Sequence, residues 1–191
     1  MGHQRHTSRN FCAGPPQTTT LGPFVAMHSR STAQQFAGLV AWLALTFAAA
    51  AVGAVASAQA ASFYLQLSRP TWAPPPSVFG PVWSILYALM AVAAWLVWRQ
   101  PNEGRHALPI ALFVTQLAVN ALWSWLFFAW HLGAGAFADV LVLLALIAAT
   151  IIAFWRARPL AGILLLPYFA WVSFASALTW SVWQSNPGVL R

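Results

Sequence analysis

Five apolar stretches, each long enough to cross a bilayer, make up most of this chain. They fall at roughly 36–61, 79–98, 108–130, 135–155 and 160–183 when a window of about 19 residues is moved along the sequence. At about 1.5 Å of rise per residue, about 20 helical residues cross a hydrocarbon core about 30 Å thick. Lipid offers no hydrogen-bonding partner, so a spanning segment must be a helix or part of a closed barrel. The stretches are continuously apolar and do not alternate, which predicts helices. Charge points to the same class. Nine Arg and two acids, Glu103 and Asp139, are the only formal charges, 6% of 191 residues against about 25% in a soluble domain. That number cannot clothe a water-facing globule. The chain reads as an all-α integral membrane protein, a bundle of five transmembrane helices.

The links between stretches 2 and 3, 3 and 4, and 4 and 5 are short, so consecutive spans run antiparallel. The first link differs. Residues 62–78 carry Pro70, Pro74, Pro75 and Pro76 around Trp72, too many prolines for a continuous helix. This proline-rich loop is expected to fold over one end of the bundle. Residues 1–35 form a polar amino-terminal tail, 36–185 the transmembrane domain and 186–191 a short carboxyl-terminal tail. Met27 is an alternative start. The first stretch, followed by Ala56-Ser57-Ala58, also resembles a cleavable signal peptide, although its core exceeds the 7 to 15 or so residues usual there. Its small residues Ala50, Gly53, Ala54 and Ala58 suit close helix packing.

Arg5, Arg9, Arg30, Arg99, Arg105, Arg156 and Arg158 gather on one side of a five-span arrangement, and Arg69 and Arg191 on the other. By the positive-inside rule the amino terminus is cytoplasmic and the first loop outside. The Arg residues form no run that would track phosphates, so nucleic acid is not an expected partner. The single Cys12 excludes disulfide frameworks. Abundant Ala and Arg without Lys suggests a G+C-rich bacterial genome.

Polar groups inside a span are costly and mark candidate function. Gln116, Asn120, Trp123, Phe127 and Trp130 recur at helical spacing on one stripe of the third stretch. Trp83 and Tyr87 stand one turn apart in the second. Pro167, Trp171, Ala175 and Leu178 form a stripe in the fifth. With the topology above, Trp83, Tyr87, Asn120, Trp123, Asp139 and Ala175 share the outer half of the membrane, under the loop that carries Trp72. This arrangement predicts a lidded aromatic pocket with a few polar anchors, suited to a flat polycyclic ligand. Other roles exist for the same residues. Asn120 and Gln116 can join helices by hydrogen bonds, and Asp139 can sit at a helix N-terminus. Trp98, Trp130, Trp155 and Trp183 near stretch ends suit the interfacial belt.

From about Ser62 to Pro187 the sequence resembles the TspO/MBR family, the tryptophan-rich sensory proteins related to the mitochondrial translocator protein. The motifs are Tyr64-Leu65-Gln66-Leu67-Ser68-Arg69-Pro70-Thr71-Trp72-Ala73-Pro74-Pro75, Phe79-Gly80-Pro81-Val82-Trp83-Ser84-Ile85-Leu86-Tyr87, Gln116-Leu117-Ala118-Val119-Asn120-Ala121-Leu122-Trp123-Ser124 and Pro167-Tyr168-Phe169-Ala170-Trp171-Val172-Ser173-Phe174-Ala175. The resemblance implies a five-helix membrane protein, commonly a homodimer, that binds porphyrins and other polycyclic ligands beneath its first loop. It assigns the site to Tyr64, Pro74, Trp83, Asn120, Trp171 and Ala175. Phe63, Ala91 and Thr179 depart from the family pattern, Thr179 where a Leu-Asn pair is common. The sterol-recognition pattern is not met, because Trp180 replaces its Tyr and no Arg follows before Arg191.

The expected function is a receptor or transporter for porphyrin, haem or related tetrapyrroles, in regulation or stress response, with no required cofactor and no metal site. His3 and His6 offer a weak metal or haem alternative. A second reading is a light- or oxygen-dependent enzyme that degrades porphyrin through Trp83, Trp123 and Trp171. A third is an assembly protein without a ligand.

Overall fold

The computed structural model describes residues 31–101 and 106–191. Most of the polar tail, with His3, His6, Cys12 and Met27, lies outside the described residues, as do Glu103 and Arg105. The helices are α1 (Thr32–Ala56), α2 (Ala60–Gln66), α3 (Phe79–Trp98), α4 (Ala107–Ser124), α5 (Gly133–Ala157) and α6 (Pro159–Ser185). A 3-10 turn, Pro76–Val78, leads into α3, and a π turn, Trp125–Ala129, continues α4. Five of these units are long and apolar enough to span a membrane. There is no strand among the described residues.

Helix α1 begins ahead of the first apolar stretch, at Thr32. Ser31 caps it: its hydroxyl accepts the Gln34 amide N–H at 3.3 Å, and Gln34 Oε1 accepts the Ser31 N–H at 2.9 Å. This reciprocal pair satisfies two amides that the helix cannot satisfy itself. The same stretch ends earlier than its hydropathy suggests. Ser57 turns its hydroxyl back to the Gly53 carbonyl, 2.9 Å, and its amide to the same turn, and the chain restarts as α2. Such local bonds compete with helix continuation. Pro167 lies within α6, which continues past it.

The spans close into a ring. Helix α1 packs between α3 and α4, α4 on α5, α5 on α6, and α6 back on α3. Helices α3 and α4, consecutive in the chain, therefore stand on either side of α1. At the end remote from the first loop, large side chains fill the ring. Met90, Phe113, Ile147, Phe154, Leu165 and Tyr168 are wholly buried there. Trp95 Nε1 ties α3 to α1 by donating to the Gln35 carbonyl at 2.9 Å.

Three tryptophans near helix ends cover glycines. Trp98 lies over Gly38, Trp155 over Gly162 and Trp183 over Gly133, so that a Cβ at any of these glycines would crowd the indole. At Gly133 the Leu190 side chain closes the remaining space. Overpacking of this kind costs about 1–3 kcal/mol. Gly133→Ala should accordingly lower the thermal unfolding midpoint of the protein in detergent. An unchanged midpoint would mean that Trp183 and Leu190 shift without cost.

Candidate functional site: an aromatic cavity under the first loop

At the loop end the ring is not filled, and a cavity of about 610 Å³ remains. Its wall follows the helical periodicity of each contributing sequence. Along α1 the residues that face it are Phe47, Ala50, Ala51, Gly53, Ala54 and Ser57, almost all small. Opposite them α3 places Phe79, Trp83 and Tyr87 at intervals of one turn, with Gly80 and Ser84 beside them. Helix α6 contributes Trp171, Ala175, Leu178, Thr179 and Val182. Tyr64 of α2 and Pro76 close the loop side. No lining residue comes from α5, which stands between α4 and α6 in the ring.

The α4 wall follows ordinary helical spacing and runs into the π turn. The Trp130 N–H reaches the Trp125 carbonyl at 2.8 Å, one residue further than an α-helical bond. The extra residue rotates the side chains beyond it about the helix axis. Asn120, Trp123, Ser124, Phe127 and Phe128 all line the cavity, and Trp130 turns outward, 52% exposed.

The aromatic walls brace one another. Trp123 stacks on Phe127 with centroids 5.4 Å apart and planes 11° apart. Phe79 meets Tyr64 and Trp171 edge-on at 5.5 and 5.9 Å, and Trp83 leans on Tyr87 at 5.7 Å. Offset and edge-on pairs of this kind are favourable beyond their buried area. Polar capacity is sparse. Asn120 Nδ2 donates to the Tyr87 hydroxyl at 2.7 Å, joining α4 to α3 across the ring. Ser57 and Ser84 spend their hydroxyls on their own helices, at Gly53 and Gly80. The indole N–H groups of Trp123 and Trp171 are buried in the wall with no acceptor among the described residues. Among the described residues no charged side chain lines the cavity. Just outside it, the Arg69 guanidinium lies over the Tyr64 ring, 4.8 Å from its centroid. Burial pushes the Tyr64 phenol above its ordinary range, and the Arg69 charge opposes that shift.

Seven of the ten residues expected at the site converge on this cavity: Tyr64, Trp83, Tyr87, Asn120, Trp123, Trp171 and Ala175. Trp72, Pro74 and Asp139 do not line it. Trp72 is half exposed on the loop and touches the cavity wall only indirectly, edge-on to Phe174, which in turn leans on Trp171. Pro76 takes the lining place instead of Pro74. Asp139 lies on α5, and its Oδ2 is buried without a hydrogen bond among the described residues. Gln116, one turn deeper than Asn120, is fully buried and also outside the lining. Thr179, the departure from the family pattern, does line the cavity. Phe127, expected on the α4 stripe, also lines the cavity, whereas the α1 residues and Phe128 line it without having been expected at the site. Small residues at helical spacing were the signal on α1, read as a packing face. Ala50 and Ala54 border the open volume, while Gly53, also at its edge, lets α1 lie close against Ser124 of α4 as a packing face would.

The family profile described as TspO/MBR matches residues 40–184, which include every residue of the cavity wall. The chain belongs to the TspO/MBR family. Its relatives include the human translocator protein, 38% identical over 128 residues, covering 66% of this chain and 76% of the relative. Protein CrtK of Rhodobacter capsulatus is 40% identical over 141 residues, covering 73% and 87%. The tryptophan-rich protein TspO of Archaeoglobus fulgidus is 34% identical over 153 residues, covering 78% and 95%. Five spanning helices and this kinship make the chain an integral membrane protein.

The Asn120–Tyr87 pair gives a direct test of the site's construction. Tyr87→Phe leaves a buried amide unpaired, which costs about 1–3 kcal/mol. Tyr87→Phe with Asn120→Leu removes both polar partners and should recover most of that loss. Thermal unfolding in detergent reads both, and equal losses for single and double variants would show that the hydrogen bond is incidental.

Proposed function

We propose that this TspO/MBR protein is a membrane receptor or transporter whose cavity binds porphyrins and related tetrapyrroles, or other flat polycyclic apolar molecules. The observation that carries the reading is the uncharged cavity of about 610 Å³ walled by Trp83, Trp123 and Trp171. It lies within the range of about 300–1,000 Å³ usual for small-molecule sites. Its aromatic faces favour a planar apolar body, and its few polar groups can orient one edge of it. The names of its relatives accord with this role, a translocator in human and a tryptophan-rich sensory protein in Cereibacter sphaeroides. We place the protein in a bacterial membrane, as a homodimer acting in regulation or stress response. Its first loop then faces away from the cytoplasm, as the Arg distribution requires.

The test is a titration of the detergent-solubilised protein with protoporphyrin IX, following tryptophan fluorescence and porphyrin absorbance in darkness and then in light. Saturable quenching without new absorbing species is expected. Trp83→Ala and Trp171→Ala should each weaken binding about tenfold, equivalent to about 1.4 kcal/mol. Absence of saturable binding overturns the proposal. Light-dependent bleaching to a product that requires Trp83 replaces it with a porphyrin-degrading enzyme. A complementary variant, Ala54→Phe, fills the cavity from α1. It should abolish binding with little change in thermal midpoint, because its side chain occupies open volume and displaces no core residue.

A further inference from the structure

The loop that joins the lining residues Tyr64 and Pro76 at the rim of the cavity is held by a residue outside the quoted motifs. Asn186, just past the end of α6, makes two hydrogen bonds to Ser68 across 118 residues of chain. Its Oδ1 accepts the Ser68 N–H at 2.8 Å, and its Nδ2 donates to the Ser68 carbonyl at 2.9 Å. The same Nδ2 donates to the Val182 carbonyl at 2.7 Å, which fixes the side chain against α6. One amide thus pairs with both main-chain groups of one loop residue, as a neighbouring strand would. Asn186 is itself almost fully buried. Its carbonyl accepts the N–H groups of Val189 and Leu190, and the Arg191 N–H reaches the His131 carbonyl at 3.0 Å. The turn after α6 is therefore stitched to the α4–α5 connection as well as to the loop. Beside the pair, Leu67 packs into an apolar cluster with Leu178, Val182 and Leu190.

We propose that Asn186 is the latch of the first loop, a positioning residue that holds the loop shut over the cavity and so sets how long a ligand stays. The ligand half of this inference rests on the binding function proposed above; the latch itself does not. Only main-chain atoms of Ser68 take part, so Ser68→Ala should behave as the unaltered protein. Asn186→Ala removes all three side-chain bonds. Ser68→Pro replaces the N–H with a ring carbon that the 2.8 Å contact to Asn186 Oδ1 leaves no room for, so it breaks the pair from the loop side, and Leu67 already has the extended backbone, φ −81° and ψ 144°, that a following proline requires.

Two measurements test it on the full-length protein in detergent. Amide hydrogen exchange over residues 67–73, without ligand, should quicken about tenfold or more in Asn186→Ala and in Ser68→Pro, and not in Ser68→Ala. Unchanged exchange in Asn186→Ala overturns the latch whatever the porphyrin result. Stopped-flow release of protoporphyrin IX should then be about tenfold faster in the same two variants, with no further increase when they are combined. Faster exchange with an unchanged release rate overturns control of residence by the latch. Faster exchange in a protein that binds no porphyrin leaves the latch in place and overturns the binding function. Retained exchange protection in α3 and α6 confirms that each variant is folded.

Discussion

Inside hydrocarbon every backbone amide must find its partner within the protein, and helices do this with no help from neighbours. The rest of the structure depends on that constraint. Once the backbone is self-satisfied, the chain has only side-chain volume with which to decide where helices touch and where they part. At one end of the ring, Met90, Phe113, Phe154 and Tyr168 meet in the centre and leave no space. At the other, the face of α1 is largely Ala50, Ala51, Gly53 and Ala54, the aromatic side chains of α3 and α6 lean on one another, and those of α4 stack among themselves. The cavity is the space left between a small-residue wall and a braced aromatic one.

Within the spans some polar groups are met pairwise or by their own helix, and others, such as the Gln116 amide and the Trp123 and Trp171 indoles, have no partner among the described residues. Asn120 and Tyr87 satisfy each other at the cavity edge, and serine and threonine hydroxyls within the spans, among them Thr46, Thr150, Ser173 and Ser176, bond to their own helices. The bonds that organise the cap, from Asn186 to Ser68 and from Arg191 to His131, all lie beyond the ends of the spans. The loop can therefore be held by exchangeable main-chain hydrogen bonds while the bundle beneath is held by packing. These are two mechanical regimes within one small protein.

The five spans and the loop were legible because apolar length and proline content act locally. Asn120, Trp123, Trp171 and Ala175 were legible because polar and aromatic residues at helical spacing share a face whatever the helix packs against. The identity of the opposite wall was not. Small residues at the same spacing can mean close contact or open space, and only the ring order decides. That order places α3 and α4 apart on either side of α1, contrary to the usual adjacency of consecutive elements, and no local pattern encodes it. Asp139 does not line the cavity for the same reason: its helix, α5, sits between α4 and α6 in the ring and contributes no lining residue. The α4 spacing holds as far as Phe128 and fails at Trp130, which closes the π turn and is exposed.

The ring order also bears on how the protein is made. Chains are synthesised from the amino terminus, and early segments assemble first. Helix α1 can pair with α3 as soon as both are inserted, yet its other flank waits for α4, and the circle closes only when α6 returns to α3. A ribosome that has delivered four spans has delivered helices with no enclosed space between them. The cavity is a property of the finished chain, supplied at one stroke by the last span together with Trp171, Ala175 and the residue that ties down the loop.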